Sequence, residues 1–147
     1  MNEVRKAFVY LAVPYTHSED DVKNFRFLVV TALSAKLFER DIFNFSPITH
    51  SHPISAVSSA GTSWATWEAF DKFMISLCDQ IWVLKIPGWK ESVGVTAEIA
   101  YALEENKPVF YLGADLRGDI LEVYDESTGT PIMNLHLDEE SLECMKK

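Results

Sequence analysis

The feature that most constrains the fold is an uninterrupted apolar run near the start of the chain, Ala7–Val13, which Pro14 ends. A strand with one solvent-exposed face alternates apolar and polar residues, whereas this run shows no alternation. Such a strand is buried on both faces, and strands of that kind belong to parallel sheets that helices cover on each side. The run therefore predicts an α/β fold.

The rest of the chain continues an alternation of strands and helices. Ser18 and Ser63 are expected to begin two of the helices, because a side-chain hydroxyl can accept from the free N–H groups of a first turn. This alternation predicts a parallel sheet with right-handed crossovers. We expect residues 48–62 to form a long loop. The predicted strands are 7–13, 41–45, 80–86 and 108–112, and the predicted helices are 20–40, 64–78 and 93–106.

The last part of the chain, from about residue 114, has a weaker pattern and is acidic. It holds nine acidic and three basic residues, a net charge of −6, which is typical of a solvated face. Residues 121–124 are expected to form a fifth strand or half of a hairpin that turns at residues 127–129. A short helix is expected over residues 138–146. We expect residues 1–147 to form a single domain, with this segment as its less regular tail.

Composition excludes several classes of protein. Hydrophobic residues make up 48% of the chain, so it can bury a core and is not globally disordered. Its formal charge of −9 argues against a nucleic-acid polymer or an anionic membrane as partner. The start of the chain, residues 1–13, has too few apolar residues for a signal sequence or a membrane span. Two distant cysteines, Cys78 and Cys144, do not form a disulfide framework, and we expect a cytoplasmic location.

Ligands of open parallel sheets bind beyond the carboxyl ends of the strands, and the richest segment there is Pro87–Glu98. A helix begins in it near Ser92, so the free N–H groups around Gly94 form an anion site that the helix dipole strengthens. Glu98 lies early in the same helix and has two interpretations. It is either a carboxylate favoured at a helix start or a nucleophile or base held over a ligand, and spacing alone does not separate the two.

Four segments are similar to the nucleoside 2-deoxyribosyltransferase superfamily, namely Tyr10–Tyr15, Ser46–Pro53, Cys78–Leu84 and Gly88–Glu98. Within it, they most resemble a small branch with the signatures SPI-HSHPI and GW--S-GV--E, and the resemblance covers residues 7–112. It implies a flavodoxin-like or Rossmann-like three-layer sandwich around a central, mainly parallel sheet of about five strands. It also implies cleavage of an N-glycosidic bond in a small-molecule nucleoside or nucleotide, and a homo-oligomer. We expect no cofactor, because no phosphate-binding glycine motif follows the first strand.

The resemblance assigns roles to residues at matching positions. Glu98 matches the nucleophile that attacks the anomeric carbon, and Tyr10 matches the tyrosine that supports it. Asp71 matches a carboxylate that protonates the leaving base or orients the sugar, although a solvated aspartate on a helix is its simpler interpretation. Ser92 matches the serine that monophosphate hydrolases place on the 5′-phosphate. Asp79 belongs to the third-strand motif, where it contacts the ligand or only orders the chain.

Three histidines follow two predicted strand ends. His17, His50 and His52 are expected to contact substrate as hydrogen-bond donors or as a general acid, with simple loop structure as the alternative. A zinc site is less favoured, because no fourth ligand has a suitable spacing. The first-strand loop lacks the arginine- and glycine-rich phosphate segment of related hydrolases. Thr16, His17 and Arg26 are candidates to replace it.

Aromatic residues around the predicted site suggest a surface on which a nucleobase stacks. Trp64, Trp67 and Trp89 are the candidates, and Trp89 is preferred because it lies in the predicted active loop. Trp67 has the spacing of a core residue, and Trp82 lies within a strand. The helix over residues 64–78 carries apolar residues on more than one face, which predicts a contact with a second subunit.

The preferred function is therefore hydrolysis of the N-glycosidic bond of a nucleoside or a nucleoside 5′-monophosphate through Glu98. Two alternatives stay open. One is a transferase that passes the deoxyribosyl group to a second base. The other is a module that binds or senses a nucleotide without chemistry.

Overall fold

The computed structural model describes residues 6–59 and 61–147. Within these residues, six strands form one sheet in the order β2-β1-β3-β4-β5-β6, and the first four strands run parallel. The expectation about the first residues of the chain concerns residues 1–5, which lie outside the described part. The elements are β1 (Phe8–Ala12), α1 (Asp20–Glu39), β2 (Phe43–Phe45), α2 (Pro47–Val57), α3 (Trp64–Leu77), β3 (Gln80–Leu84), α4 (Val93–Glu104), β4 (Val109–Arg117), β5 (Ile120–Asp125), β6 (Pro131–His136) and α5 (Glu139–Cys144).

The apolar run that opened the sequence forms the centre of a three-layer sandwich. In β1, Val9 and Leu11 belong to the core beneath α1, while Tyr10 and Ala12 belong to the core beneath α3 and α4. Because both faces of the strand are covered, it shows no polar alternation. The predicted α/β sandwich of flavodoxin-like type is confirmed, with six strands in place of about five. Strand order reverses between β1 and β3, which places the expected ligand crevice at their carboxyl ends.

The prediction of a loop over residues 48–62 is wrong, because most of that segment forms α2. The Ser46 hydroxyl oxygen accepts from the Thr49 backbone N–H at 3.1 Å, and Pro47 occupies the first turn. Proline is favoured there because its missing N–H would have no partner in the helix. The serine and proline that end β2 therefore also begin α2. Pro53 lies inside the helix and obscured its pattern.

Smaller differences concern helix ends. Glu19 rather than Ser18 occupies the position before α1, and it makes no side-chain capping bond. Ser63 precedes α3 as expected, but its side chain does not cap the helix either. In α3, Asp71 and Ile75 are the buried residues, whereas Leu77 is 52% exposed. The inner face of α3 therefore includes a carboxylate, which a pattern of apolar residues does not reveal.

The acidic tail is more regular than the sequence predicted. Strands β5 and β6 form an antiparallel hairpin on the edge of β4, so the hairpin alternative is confirmed. Leu121, Val123 and Met133 pack in the core beneath α1, and the Arg40 guanidinium donates to the Ile132 carbonyl at 2.9 Å. Among the described residues, no helix combines the length and hydropathy needed to cross a membrane.

Candidate active site

A cavity of about 470 Å³ opens at the carboxyl ends of β1 and β3, a volume suited to a small organic ligand. Its walls come from the loop after β1, the inner side of α2, the start of α3 and the start of α4. The polar and charged residues that line it include Tyr15, Thr16, Ser51, His52, Trp64, Trp67, Asp71, Glu91, Ser92 and Glu98, together with Gly94.

Glu98 is held at this cavity by the start of α4. The Ser92 hydroxyl oxygen accepts from the Val95 N–H at 3.1 Å and so begins the helix where the sequence predicted. Glu98 lies on the second turn with 4% of its surface exposed, and the Tyr10 hydroxyl donates to its carboxylate. Burial raises the pKa of Glu98 well above its usual range, and the nearby charge of Asp71 adds to this, while the Tyr10 hydrogen bond opposes it.

Asp71 faces the same cavity from α3, and 6% of its surface is exposed. Among the described residues, its Oδ1 atom is buried and has no hydrogen-bond partner. Burial without a donor disfavours the charged carboxylate and raises the pKa of Asp71 from its ordinary value of 3.8 to about 7. The interpretation of Asp71 as a solvated surface residue is therefore wrong. The structure brings Tyr10, Asp71 and Glu98 together, as the resemblance implied.

His52 lines the opposite wall of the cavity. Its ring stacks on Phe27 with centroids 4.3 Å apart, and its Nδ1 atom shares a hydrogen bond with the Tyr15 hydroxyl. Burial lowers the pKa of His52, and the positive charge of Lys23 lowers it further, so the neutral imidazole is favoured. A neutral imidazole can donate to or accept from a ligand through one nitrogen while the other contacts Tyr15.

His17 and His50, the other two histidines expected to contact substrate, are not part of the cavity lining. His50 is exposed and stacks on Phe70, with ring centroids 5.2 Å apart. His17 accepts from the Glu19 backbone N–H at 3.0 Å, which stabilises the loop before α1. In the part of the chain that the structure describes, no group of three histidine, cysteine or acidic residues is arranged to hold a metal ion.

Asp79 and Trp89 also lie away from the cavity. Asp79 precedes β3, and its carboxylate accepts from the Phe8 backbone N–H at 2.7 Å, so it joins two strands at their amino ends. Trp89 packs against Tyr111 with ring centroids 5.9 Å apart, on the far side of the loop that leads to α4. The geometry favours the ordering role of Asp79 that the sequence left open, and it does not place Trp89 at the ligand.

The aromatic wall of the cavity is instead made by Trp64 and Trp67. The Trp67 indole N–H donates to the Gly61 carbonyl at 2.8 Å, which fixes the plane of the ring. A methyl group on Gly94 would lie 3.5 Å from the Trp64 ring, so this indole lies beside the start of α4. The core interpretation of Trp67 is wrong, because its half-buried ring belongs to neither core of the described residues and instead lines the cavity.

The cavity is acidic, which bears on phosphate binding. Asp71, Glu91 and Glu98 line it, whereas no lysine or arginine does so among the described residues. Arg26, a candidate phosphate ligand from sequence, is 4% exposed and donates to backbone carbonyls, including that of Pro87 at 3.1 Å. Donors available to an anion include the first N–H groups of α4 and hydroxyl groups such as that of Ser92.

Sequence reasoning missed several lining residues, among them Tyr15, Ser51 and Glu91. Tyr15 was available from the rule that ligands bind at the carboxyl ends of strands, because it lies just beyond β1. Ser51 was hidden because its segment was expected to be a loop, whereas it is on the buried side of α2. Glu91 precedes the start of α4 and has no distinguishing pattern.

Comparisons with known proteins agree with this fold. The solved structure of a 2-deoxyribosyltransferase from the psychrotolerant bacterium Bacillus psychrosaccharolyticus aligns with a TM-score of 0.54 and 20% sequence identity. The alignment covers 76% of this chain and 77% of that one, and it confirms the fold that the resemblance implied. No curated protein sequence matches significantly. A family model described as a domain of unknown function, DUF1937, matches residues 7–114, and the chain belongs to that family.

Proposed function

We propose that this protein cleaves the N-glycosidic bond of a nucleoside, with Glu98 as nucleophile and water as the final acceptor. The observation that carries the proposal is the pair of buried carboxylates, Glu98 and Asp71, at one cavity, with Tyr10 bonded to Glu98. Retaining glycosidases need two such groups, one as nucleophile and one as acid and base. The fold shared with a 2-deoxyribosyltransferase supports the same chemistry.

The reaction proceeds in two displacements. An ionised oxygen of Glu98 attacks C1′ of the sugar as the bond from C1′ to the base nitrogen breaks, and Asp71 gives its proton to that nitrogen. A water molecule then attacks C1′, the ester bond to Glu98 breaks, and the proton of the water passes to Asp71. The enzyme returns to its starting protonation state, and base and free sugar leave.

Hydrogen bonding favours this division of roles. Burial raises the pKa of both carboxylates, and the charge of Asp71 raises that of Glu98 further, so the pair holds one proton over part of the pH range. The Tyr10 hydroxyl donates to Glu98 and stabilises a negative charge there, whereas the buried Oδ1 of Asp71 has no donor among the described residues. The shared proton is therefore favoured on Asp71 and the charge on Glu98, as a general acid and a nucleophile require.

The cavity walls support an unphosphorylated nucleoside over a 5′-monophosphate. Trp64 and Trp67 offer flat surfaces for a base. With the proton on Asp71, the carboxylates of Glu91 and Glu98 still line the cavity without a basic side chain among the described residues, and they oppose binding of a phosphate dianion at the start of α4. We therefore place the sugar between Glu98 and the start of α4, with the base against the indoles.

The proposal is tested by measuring base release from a panel of ribo- and deoxyribonucleosides and their 5′-monophosphates by chromatography. We expect release from at least one nucleoside, and Glu98→Gln reduces it by at least about 10³-fold, because the nucleophile is lost. Intact-mass spectrometry of wild type after a rapid quench then detects a sugar ester that the variant does not form. No release from any member by folded protein overturns the proposal.

A second base added to the assay separates hydrolysis from transfer. Hydrolysis gives the same products with and without the added base. Formation of a nucleoside that carries the added base supports the transferase alternative instead. The purely binding alternative is supported if nucleosides bind by calorimetry but no base is released.

We also propose that the chain forms a homo-oligomer in the cytoplasm. Support for assembly comes from the outer side of α3, where Phe73 and Leu77 are more than half exposed, and from Leu103 on α4. Large apolar side chains on one surface are typical of interface cores. Support for a reducing compartment comes from Cys78 and Cys144, which are both unpaired. Light scattering tests assembly: a mass of 16.7 kDa at every concentration would contradict it.

A further inference from the structure

The loops after β1 and β3 form two walls of the cavity, and one buried guanidinium joins them. We infer that Arg26 is a positioning residue that holds these two loops at the separation the ligand requires. Arg26 comes from α1, 4% of its surface is exposed, and it does not line the cavity itself. This inference rests on the proposed function only for its kinetic readout.

On one side, Arg26 holds the loop after β1. Its Nη1 atom donates to the Thr16 carbonyl at 3.2 Å and, more weakly, to the Tyr15 carbonyl at 3.4 Å. Both residues line the cavity, and the Tyr15 hydroxyl contacts Nδ1 of His52 on the same wall. Fixing the backbone of Tyr15 therefore also fixes the orientation of the imidazole that faces the ligand.

On the other side, Arg26 holds the loop after β3. Its Nη2 atom donates to the Pro87 carbonyl at 3.1 Å. Gly88 follows with φ of +95°, and a Cβ atom there would lie 2.4 Å from Nη2. Glycine is thus required twice, for its backbone conformation and for the close approach of the guanidinium. The same loop continues to Ser92, which begins the helix that carries Glu98.

The chemistry of the guanidinium suits this task. A buried cation is costly unless it is hydrogen-bonded, and here carbonyls of both loops supply the acceptors. Because the guanidinium is planar and has donors in fixed directions, it can bridge two loops that a single ammonium group cannot hold together. The three carbonyl oxygens are thereby held by one side chain.

The test compares two variants that break the same contact from opposite sides. Arg26→Met removes the guanidinium, and Gly88→Ala forces it away while leaving it in the chain. Gly118→Ala is the matched control, since Gly118 also has a positive φ of +64° but a Cβ atom there meets nothing within 4 Å. Arg26→Lys retains the charge without the planar group. Each variant is measured by hydrogen exchange and, with the nucleoside that wild type cleaves, by steady-state kinetics.

We expect amide exchange to accelerate by about tenfold or more in residues 14–18 and 86–91 of both Arg26→Met and Gly88→Ala, with residues 120–136 unchanged. KM for the nucleoside rises about tenfold while kcat changes by less than about threefold, because the walls bind substrate but do not react. The rise in KM of Arg26→Lys is more than half of that of Arg26→Met. The double variant, Arg26→Met with Gly88→Ala, has a KM no higher than that of the more affected single variant, because both substitutions act on one contact.

Unchanged amide exchange in the two loops of folded Arg26→Met overturns the inference. A fall in kcat at constant KM also overturns it, because that result indicates only that fewer molecules are folded. A Gly118→Ala control as impaired as Gly88→Ala also overturns it. If wild type releases no base, the proposed function fails, and hydrogen exchange still decides the role of Arg26.

Discussion

Asp71 and Asp79 are the same type of residue, eight positions apart, but they lie at opposite ends of the sheet and in opposite environments. At the amino ends of the strands, Asp79 accepts from the Phe8 backbone N–H at 2.7 Å, and the Lys107 amine donates to the Cys78 carbonyl at 2.6 Å. At the carboxyl ends, the buried Oδ1 atom of Asp71 has no partner among the described residues. Among the described residues, the Asp79 and Cys78 acceptors at the amino ends are therefore paired, whereas a carboxyl oxygen at the carboxyl ends is not.

The difference shows which kind of burial indicates function. A buried polar atom without a partner costs free energy, so a stable fold retains it only where something else compensates. Burial alone raises the pKa of Asp71 to about 7, which suits a group that must give and take a proton near neutral pH. Asp79 joins two strands and Asp71 faces the cavity, although the sequence presents only an aspartate within a helix and another just beyond its end.

The sharpest way to break this comparison is to neutralise Asp71. We expect Asp71→Asn to reduce base release by about 10²–10⁴-fold, because the amide has no proton to give the leaving base. The variant loses less activity with nucleosides whose bases leave without protonation. The measurement is kcat/KM with a natural nucleoside and with a synthetic one that has an activated leaving group.

The matched control is Asp79→Asn at the other end of the sheet. Its amide oxygen can still accept from the Phe8 N–H, so we expect a stability loss of about 1 kcal/mol and no change in kcat for the folded protein. If Asp79→Asn abolishes activity as completely as Asp71→Asn, the division between a supporting end and a reactive end is wrong.

A second prediction concerns the pH dependence of stability. Because the pKa of Asp71 rises from 3.8 to about 7 on folding, the folded chain holds a proton that the unfolded chain has lost between those values. The free energy of unfolding therefore falls as pH rises from about 4 to 7 and then levels, by about 4 kcal/mol at most from this group. Glu98, whose pKa is also raised, acts in the same direction.

Urea unfolding of wild type and Asp71→Asn at several pH values measures this effect. The variant lacks the Asp71 contribution, so its free energy of unfolding falls less between pH 4 and pH 7 than that of wild type. The difference in stability between the two proteins therefore shifts in favour of the variant as the pH rises. Parallel pH profiles for the two proteins would show that Asp71 titrates normally in the folded chain, and the assignment of the proton to it would fail.

The two ends of the sheet also differ in how well the sequence predicted them. The supporting layers follow from local patterns: β1 is apolar throughout, and the buried face of α1 consists mainly of apolar residues at helical spacing. The tail was harder because its strands pack on α1 only after the chain has turned at Gly118 and near Gly129. Packing between distant segments leaves little periodicity in a short strand.

The site was predicted where its residues belong to a motif and missed where position depends on the turn of a helix. Glu98, Ser92 and His52 line the cavity as expected. Trp89 was preferred over Trp64 because it lies in the predicted active loop, but its ring packs against Tyr111 and does not line the cavity. His50 and His52 are two residues apart, so on α2 they point in directions about 200° apart, and one of them faces the cavity.

The smallest predicted effect concerns Tyr10, which tests whether the reactive end depends on a donated hydrogen bond. In Tyr10→Phe, Glu98 loses the donor that stabilises its charge, so its pKa rises further and less of the nucleophile is ionised at neutral pH. We expect kcat/KM to fall about tenfold at pH 7 and its acidic limb to shift to higher pH. Tyr101→Phe is the control, because the Tyr101 hydroxyl also donates to a carboxylate, that of Glu105 at 3.3 Å, but at the exposed surface. An unchanged pH profile in folded Tyr10→Phe would mean that Glu98 reacts without this hydrogen bond.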